Sequence, residues 1–288
     1  MILEYIRKRN IKVMLSFIAT TLVHQACMTN QGINAPKNNY LLIWSDEFNS
    51  NGNVDTSIWR FEKGFVRNHE LQWYQKENAW CSNGLLIIEA RRENKPNPLF
   101  NKNSKDWRKQ RPTIEYTSSS INTSGSKQFT YGRFEMRARI KTDGGLWPAF
   151  WTLGIEKEWP SNGEIDIMEF YKDNLLANIA HGTTERYKAK WFSTKKPVAS
   201  FNDTDWQNKF HVWRMDWSQE SISLFVDDLL LNKVLLKDLV NPDGFNPFKQ
   251  PHYVLLNLAI GGDNGGDPSQ TQFPNKYEID YVRVYQKK

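Results

Sequence analysis

Gly132-Arg-Phe-Glu-Met-Arg-Ala-Arg-Ile140 alternates strictly. Phe134, Met136, Ala138 and Ile140 share one face of an extended chain, and Arg133, Glu135, Arg137 and Arg139 share the other. Successive side chains of a strand point to opposite sides, so this period of two marks a half-buried antiparallel strand. Outward from it, short alternating or apolar runs recur from about Leu41 onward, punctuated by Gly, Asn, Asp and Pro. Residues 84–90, 165–170, 212–217, 221–226, 254–259 and 277–285 are predicted strands on the same grounds. Neither long helical periodicity nor an internal repeat interrupts them. The economical architecture is all-β, an antiparallel β-sandwich of two packed sheets. Residues 94–112, rich in Asn, Lys and Pro, predict a long loop, the kind of segment that carries specificity on a rigid scaffold.

A chain of 288 residues accommodates one large sandwich, expected over residues 41–288, plus a leader. The 12 Trp, 11 Tyr and 16 Phe exceed ordinary core filling and point to surfaces that stack flat ligands such as sugar rings. The formal charge of +6 does not signify nucleic acid, because Arg7, Lys8, Arg9 and Lys12 against Glu4 place half of it in residues 1–26. The rest is interspersed with acids, without zinc-finger spacing or a basic helix, so no nucleic-acid partner is expected. Residues 1–26 read as an export signal: a basic stretch to Lys12, an apolar run over 13–23 too short to span a bilayer, and Ala26 before Cys27. Cys27 is then a candidate for lipidation and membrane attachment, followed by a flexible linker over 27–40. His24 and Gln25 depart from the lipoprotein pattern, which keeps ordinary cleavage as the rival. Either way the protein is expected outside the cytoplasm, in the cell envelope or secreted, as a monomer. Cys81 alone remains in the mature domain, which excludes an intrachain disulfide and predicts a buried thiol.

The chemistry concentrates in Glu164-Ile-Asp-Ile-Met-Glu169, three acids interleaved with apolar residues. Alternation puts Glu164 and Asp166 on one face and would send Glu169 to the other. A one-residue bulge near Met168 returns Glu169 to the acidic face. The two glutamates then lie roughly four strand steps apart, about 13 Å along the backbone, and side chains leaning inward bring the carboxyls to about 5 Å. That separation suits a retaining glycosidase, in which one carboxylate attacks the anomeric carbon and the other protonates the leaving oxygen. Asp166 between them is expected to raise the proton affinity of Glu169 by like-charge repulsion and to hydrogen-bond Glu164. The competing readings are an edge strand with inward charges and a calcium site, neither of which needs this spacing.

With these residues in view, the chain resembles glycoside hydrolase family 16, in its laminarinase-like branch, whose acidic strand carries the extra residue found here as Met168. Trp44-Ser-Asp-Glu-Phe48, Asn68-His-Glu-Leu-Gln-Trp-Tyr74, Tyr131-Gly-Arg-Phe-Glu135, Gly145-Leu-Trp-Pro-Ala-Phe-Trp151, His181-Gly-Thr183, Asn257-Leu-Ala-Ile-Gly-Gly262 and Glu278-Ile-Asp-Tyr-Val-Arg-Val-Tyr285 follow in that family's order. The resemblance implies a jelly-roll, concanavalin A-like sandwich with a concave substrate cleft. It implies Glu164 as nucleophile, Asp166 as its assistant and Glu169 as general acid/base. Trp147 and Trp151 would stack on sugars, Asn68 and Glu70 would hydrogen-bond hydroxyls, and His181 would stand near the acid/base. No organic cofactor is implied. A structural calcium on the convex side, with Glu47 and Asp280 as ligands, is. One departure concerns substrate: the branch commonly places an Arg where this chain has Ser120, so a glucan contact is missing. The expected activity is endo-cleavage of β-1,3- or mixed β-1,3/1,4-glucan. The alternatives are an endo-β-galactosidase-like activity on agar, porphyran, carrageenan or mucin-type glycans, and a non-catalytic glycan-binding lipoprotein.

Overall fold

The computed structural model describes residues 39–288; the signal segment 1–26, Cys27 and nearly all of the 27–40 linker lie outside the described residues. Two sheets pack face to face. One has seven strands in the order Ala189–Pro197, Asn174–Gly182, Glu164–Tyr171, Leu146–Gly154, His252–Ile260, Ser120–Asn122, Arg60–Phe61. The other has ten, with the path Leu229–Leu235, Ser221–Val226, His211–Trp217, Gly132–Arg139, Asn275–Lys287, Leu85–Pro96, Thr113–Ser118, Gln72–Tyr74. Tyr40–Asp46 joins it on Asn275–Lys287 and Ala79–Ser82 on Leu85–Pro96.

The alternation that opened the sequence is realised. Phe134, Met136 and Ala138 are fully buried, whereas Arg133, Glu135, Arg137 and Arg139 face outward. Their outer face is laced with ion pairs, Arg133 with Asp216 at 2.7 Å and Arg139 with Glu278 at 2.7 Å, across neighbouring strands. The core between the sheets combines these residues with Phe150 and Ile165 from the seven-stranded sheet and Trp213, Met215 and Val284 from its partner. Cys81 is a free, buried thiol whose pKa burial pushes up to about 11.

Two details differ from expectation. Gln72–Tyr74 pairs with Thr113–Ser118 in parallel, so the ten-stranded sheet is not purely antiparallel. The presumed loop 94–112 holds the end of a strand, to Pro96, and a helical turn, Trp107–Gln110, capped by the Asp106 carboxylate accepting from Arg108 N–H at 3.1 Å. Its Pro and Asn content signals turns but does not show that Arg111 reaches back to bind the carbonyls of His69 and Glu70 at 2.7 and 2.6 Å. That contact ties the segment to the loop leading into Gln72–Tyr74.

Truncating Phe134, which has no exposed surface, to Ala leaves a cavity at the sandwich centre. The expected loss is about 3–5 kcal/mol in urea unfolding; a loss below about 1 kcal/mol would show that this strand does not anchor the core.

Candidate active site

The strand Glu164–Tyr171 lies inside the seven-stranded sheet, and its pairing slips on both sides. Against Leu146–Gly154, Asp166 faces Trp151 while Met168 already faces Phe150; against Asn174–Gly182, Asp166 faces Asn178 and Glu169 faces Leu176. Ile167 and Met168 form the bulge. Both are fully buried in the core together with Ile165, so the three apolar side chains point inward. Glu164, Asp166 and Glu169 consequently share the outer face and line one cavity of about 700 Å³. The strand is launched by Gly163 at φ +79°, where a Cβ would fall 2.8 Å from Pro247. No larger residue fits that turn.

Each carboxyl has its own partners. Trp159 Nε1 donates to Glu164 Oε2. Trp147 Nε1 donates to Glu169 Oε1 at 2.7 Å, and Asn178 Nδ2 to Glu169 Oε2 at 2.9 Å. Asp166 is hydrogen-bonded to both glutamates. Burial raises the proton affinity of all three. For Asp166 the charges of Glu169 and Glu164 add to burial and drive its pKa well above the carboxylate range, so it holds its proton as a neutral donor. Burial, with the Glu164 charge added, brings Glu169 to about 7, while the bonds from Trp147, Asp166 and Asn178 oppose it. Glu164 is also raised by burial, but the bonds from Trp159 and Asp166 and the positive charge of Arg67 favour its ionised form. The site therefore separates one carboxyl that keeps its proton near neutrality from one that a cation helps to ionise, the division of labour that acid/base glycoside cleavage requires. Asp166 and Glu169 repel one another and are also hydrogen-bonded, and the Glu164 charge adds to the repulsion on both.

The remaining candidates separate into three groups. Asn68 and Glu70 line the cavity. Asn68 Nδ2 donates to Glu70 Oε1 at 3.3 Å, and Glu70 also accepts from Gln72 Nε2 at 2.6 Å and Tyr74 OH at 3.2 Å. Trp147 and Trp151 line it too, but only 6% and 8% of their surfaces are exposed. Their indole N–H groups hold polar partners, Glu169 and, at 2.7 Å, Asn257, so positioning of those groups replaces the expected open stacking. His181 does not reach the cleft. It lies three residues from Asn178 along Asn174–Gly182, on the opposite face, stacked on Phe192 with centroids 6.0 Å apart.

The run Lys188-Ala-Lys-Trp191 is expected at the cleft rim, and Trp191 does line the cavity. Sequence reading missed Trp159, which lines it beside Glu164, and Ser193 and Lys195, which line it with Trp191 on the other side of the carboxylate strand. Trp191 is 44% exposed, the open aromatic surface that Trp147 and Trp151 do not provide. Alternation over 191, 193 and 195 was the available signal, masked by the flanking lysines. The calcium pair does not fit a metal. Both Glu47 oxygens bind Arg283, at 2.9 and 2.7 Å, and Asp280 binds Arg137 at 2.6 Å. These guanidiniums already neutralise the acids, and among the described residues no cluster of three potential ligands forms.

Sandwich and site together define a class, the β-sandwich hydrolases that cleave glycosides with paired carboxyls on a sheet face. The profile of "Glycosyl hydrolases family 16" matches residues 67–283. Over 261 residues the chain is 37% identical to a "Beta-glucanase" of Rhodothermus marinus, covering 85% of this chain and 84% of that protein. It is 32% identical over 270 residues to "Glucan endo-1,3-beta-glucosidase A1" of Niallia circulans, covering 85% of this chain but 37% of that longer protein. A solved structure described by the words "Prominent members of the human gut microbiota express endo-acting O-glycanases to initiate mucin breakdown" superposes with a TM-score of 0.78 at 33% identity, covering 88% of this chain and 92% of the other. The chain belongs to glycoside hydrolase family 16 and is a glycosidase.

The raised pKa of Glu169 links the site to stability. Its stabilising contribution is present below the unfolded value near 4.5 and is lost as pH rises through the folded value of about 7. Glu169→Gln, which has no proton to lose, is expected to gain in Tm relative to wild type between about pH 5 and 8. A difference that stays constant across that range refutes the buried-acid assignment.

Proposed function

We propose that this chain is a retaining endo-hydrolase of β-1,3- or mixed β-1,3/1,4-glucan, with Glu164 as nucleophile and Glu169 as general acid/base. The observation that carries the reading is the asymmetric carboxyl pair in mid-cleft. Arg67, Asn68, Glu70 and Asn257 line one side of the carboxylate strand, and Trp191, Ser193 and Lys195 the other. A polysaccharide lying across the strands has sugar units on both sides of the cut, which is the requirement for internal cleavage. Glucanases among the relatives support the glucan.

In the first half-reaction the Glu164 carboxylate forms a bond to the anomeric carbon as the glycosidic C–O bond breaks, and the leaving oxygen takes the Glu169 proton. In the second, Glu169, now ionised, takes a proton from water as the water oxygen attacks the same carbon and releases Glu164. Asp166, whose proton affinity is raised by burial and by both glutamate charges, is hydrogen-bonded to Glu164 and orients it. Trp159 holds the other Glu164 oxygen, and Trp147 with Asn178 holds Glu169.

A second reading, cleavage of galactose-containing or mucin-type glycans, is favoured by the O-glycanase likeness and by Ser120 standing where a glucan-contacting Arg is usual. A screen of laminarin, barley glucan, lichenan, agarose, porphyran and mucin glycans, with products sized, decides between them. On the substrate found, Glu164→Gln should lose turnover by about 10⁴-fold or more with affinity largely kept. Proton NMR of wild-type products should show the β-anomer first; near-normal turnover or an initial α-anomer sinks the nucleophile assignment.

We also propose that the protein works outside the cytoplasm, with residues 1–26 removed and Cys27 carrying a lipid. The support is the basic and apolar pattern before Cys27. Metabolic labelling with palmitate in a bacterial host should mark wild type and not Cys27→Ala, and an unlabelled, secreted wild type would favour ordinary cleavage.

A further inference from the structure

Arg67 and Asn178 each line the cavity with a buried polar atom that has no partner, and of the two only Arg67 offers a charged donor. Its Nη2 binds both oxygens of Glu62, and Glu62 Oε2 also accepts from Ser120 Oγ at 2.6 Å. The guanidinium carbon stands 5.2 Å from the centroid of the Trp151 ring and 5.9 Å from that of Tyr74, so the group is stacked as well as paired. Arg67 Nη1, by contrast, is buried without any hydrogen-bond partner, and Arg67 lines the cavity beside Glu70 and Asn257. A buried guanidinium N–H without an acceptor is unfavourable, and a ligand oxygen would satisfy it.

Charge decides which oxygen. Glu62 neutralises the cation, and Glu70 and Glu164 face the same space. An anionic substituent here would meet carboxyl groups without a net positive partner, whereas a neutral oxygen needs only the free N–H. Lys195, which makes no ion pair among the described residues, lies across the carboxylate strand and does not alter this balance. Stacking and the Glu62 bond fix the fork of Arg67, so the direction of Nη1 is set before a ligand arrives.

Resting on the glycan-cleaving function proposed above, we propose that Arg67 is a specificity-determining residue. Its Nη1 donates to an uncharged oxygen of the sugar seated beside Trp151 and Asn257, and the Glu62 pair makes that position select neutral sugars over sulfated ones.

Binding is measured directly in the Glu164→Gln protein, using a β-1,3-glucan hexasaccharide and its sulfated counterpart, so that no turnover is needed. Adding Arg67→Met should weaken the neutral hexasaccharide about 10- to 100-fold, the range for losing a hydrogen bond from a charged donor. Arg67→Lys, which keeps the charge but not the fork, should recover only part of this. Adding Glu62→Gln instead should shift preference toward the sulfated ligand by about 10-fold. Unchanged melting of the Arg67→Lys protein guards against a folding defect. An Arg67→Met affinity within twofold of its parent overturns the contact, and an unchanged neutral-to-sulfated ratio in Glu62→Gln overturns the selectivity. A parent that prefers the sulfated hexasaccharide also overturns it. Wild-type turnover of laminarin, followed in parallel, tests the glucan reading separately: turnover with an indifferent Arg67 defeats only this inference.

Discussion

Two consecutive inward side chains, Ile167 and Met168, set the geometry on which the site depends. A regular strand would need one of them to face solvent or would turn Glu169 into the core. Burying an ionised carboxylate there is strongly unfavourable, and so is exposing a fully buried methionine. The bulge avoids both, and because Glu164–Tyr171 is an internal strand, both neighbours register the slip. The sandwich core and the row of carboxyls are therefore opposite faces of a single constraint. A change that regularised the strand would damage packing and chemistry together.

The same sheet face explains how three acids coexist within six residues. Crowded carboxyls cannot all ionise in a partly dry cleft, and the described partners determine which one does. Trp147 and Trp159 matter here through their N–H groups, each spent on a different glutamate. Asp166 acts as a neutral donor between them. An acid in this setting is more useful for the proton it keeps than for the charge it carries, since a third negative charge would oppose ionisation of Glu164.

What could be read from the sequence followed from period and parity. The strict alternation at 132–140 marks the sandwich, and the parity conflict at Glu169 calls for the bulge. Parity applied to 174–182 would also have placed Asn178 and His181 on opposite faces, but that strand is buried on both faces, as internal strands are, and its apolar residues gave no alternation to read. Trp147 and Trp151 line the cleft but are nearly covered, because burial depends on what the chain brings over a side chain from a distance. For Trp151 that is Arg67, more than eighty residues earlier in the chain. Long-range side-chain contacts of this kind, like the Arg111 tie to the Asn68–Glu70 loop, leave no local pattern.

The two sides of the cleft differ in how firmly they are held, and this bears on where discrimination resides. On one side Glu70, Tyr74, Asn257 and Trp151 form a chain of hydrogen bonds, with Tyr74 OH donating to Glu70 and accepting from Asn257 Nδ2 at 3.2 Å. Those residues come from two strands of the seven-stranded sheet, one strand of the other and the pinned loop, so moving one disturbs several others. On the other side Trp191, Ser193 and Lys195 stand on an edge strand, exposed and outside any such network. A sugar on the networked side must match donors and acceptors fixed in advance, whereas one on the edge strand meets an exposed indole and an exposed cation. Ser120 fits this division. Its hydroxyl, bound to Glu62, supports Arg67 from behind, so the guanidinium absent at position 120 enters the cleft from position 67.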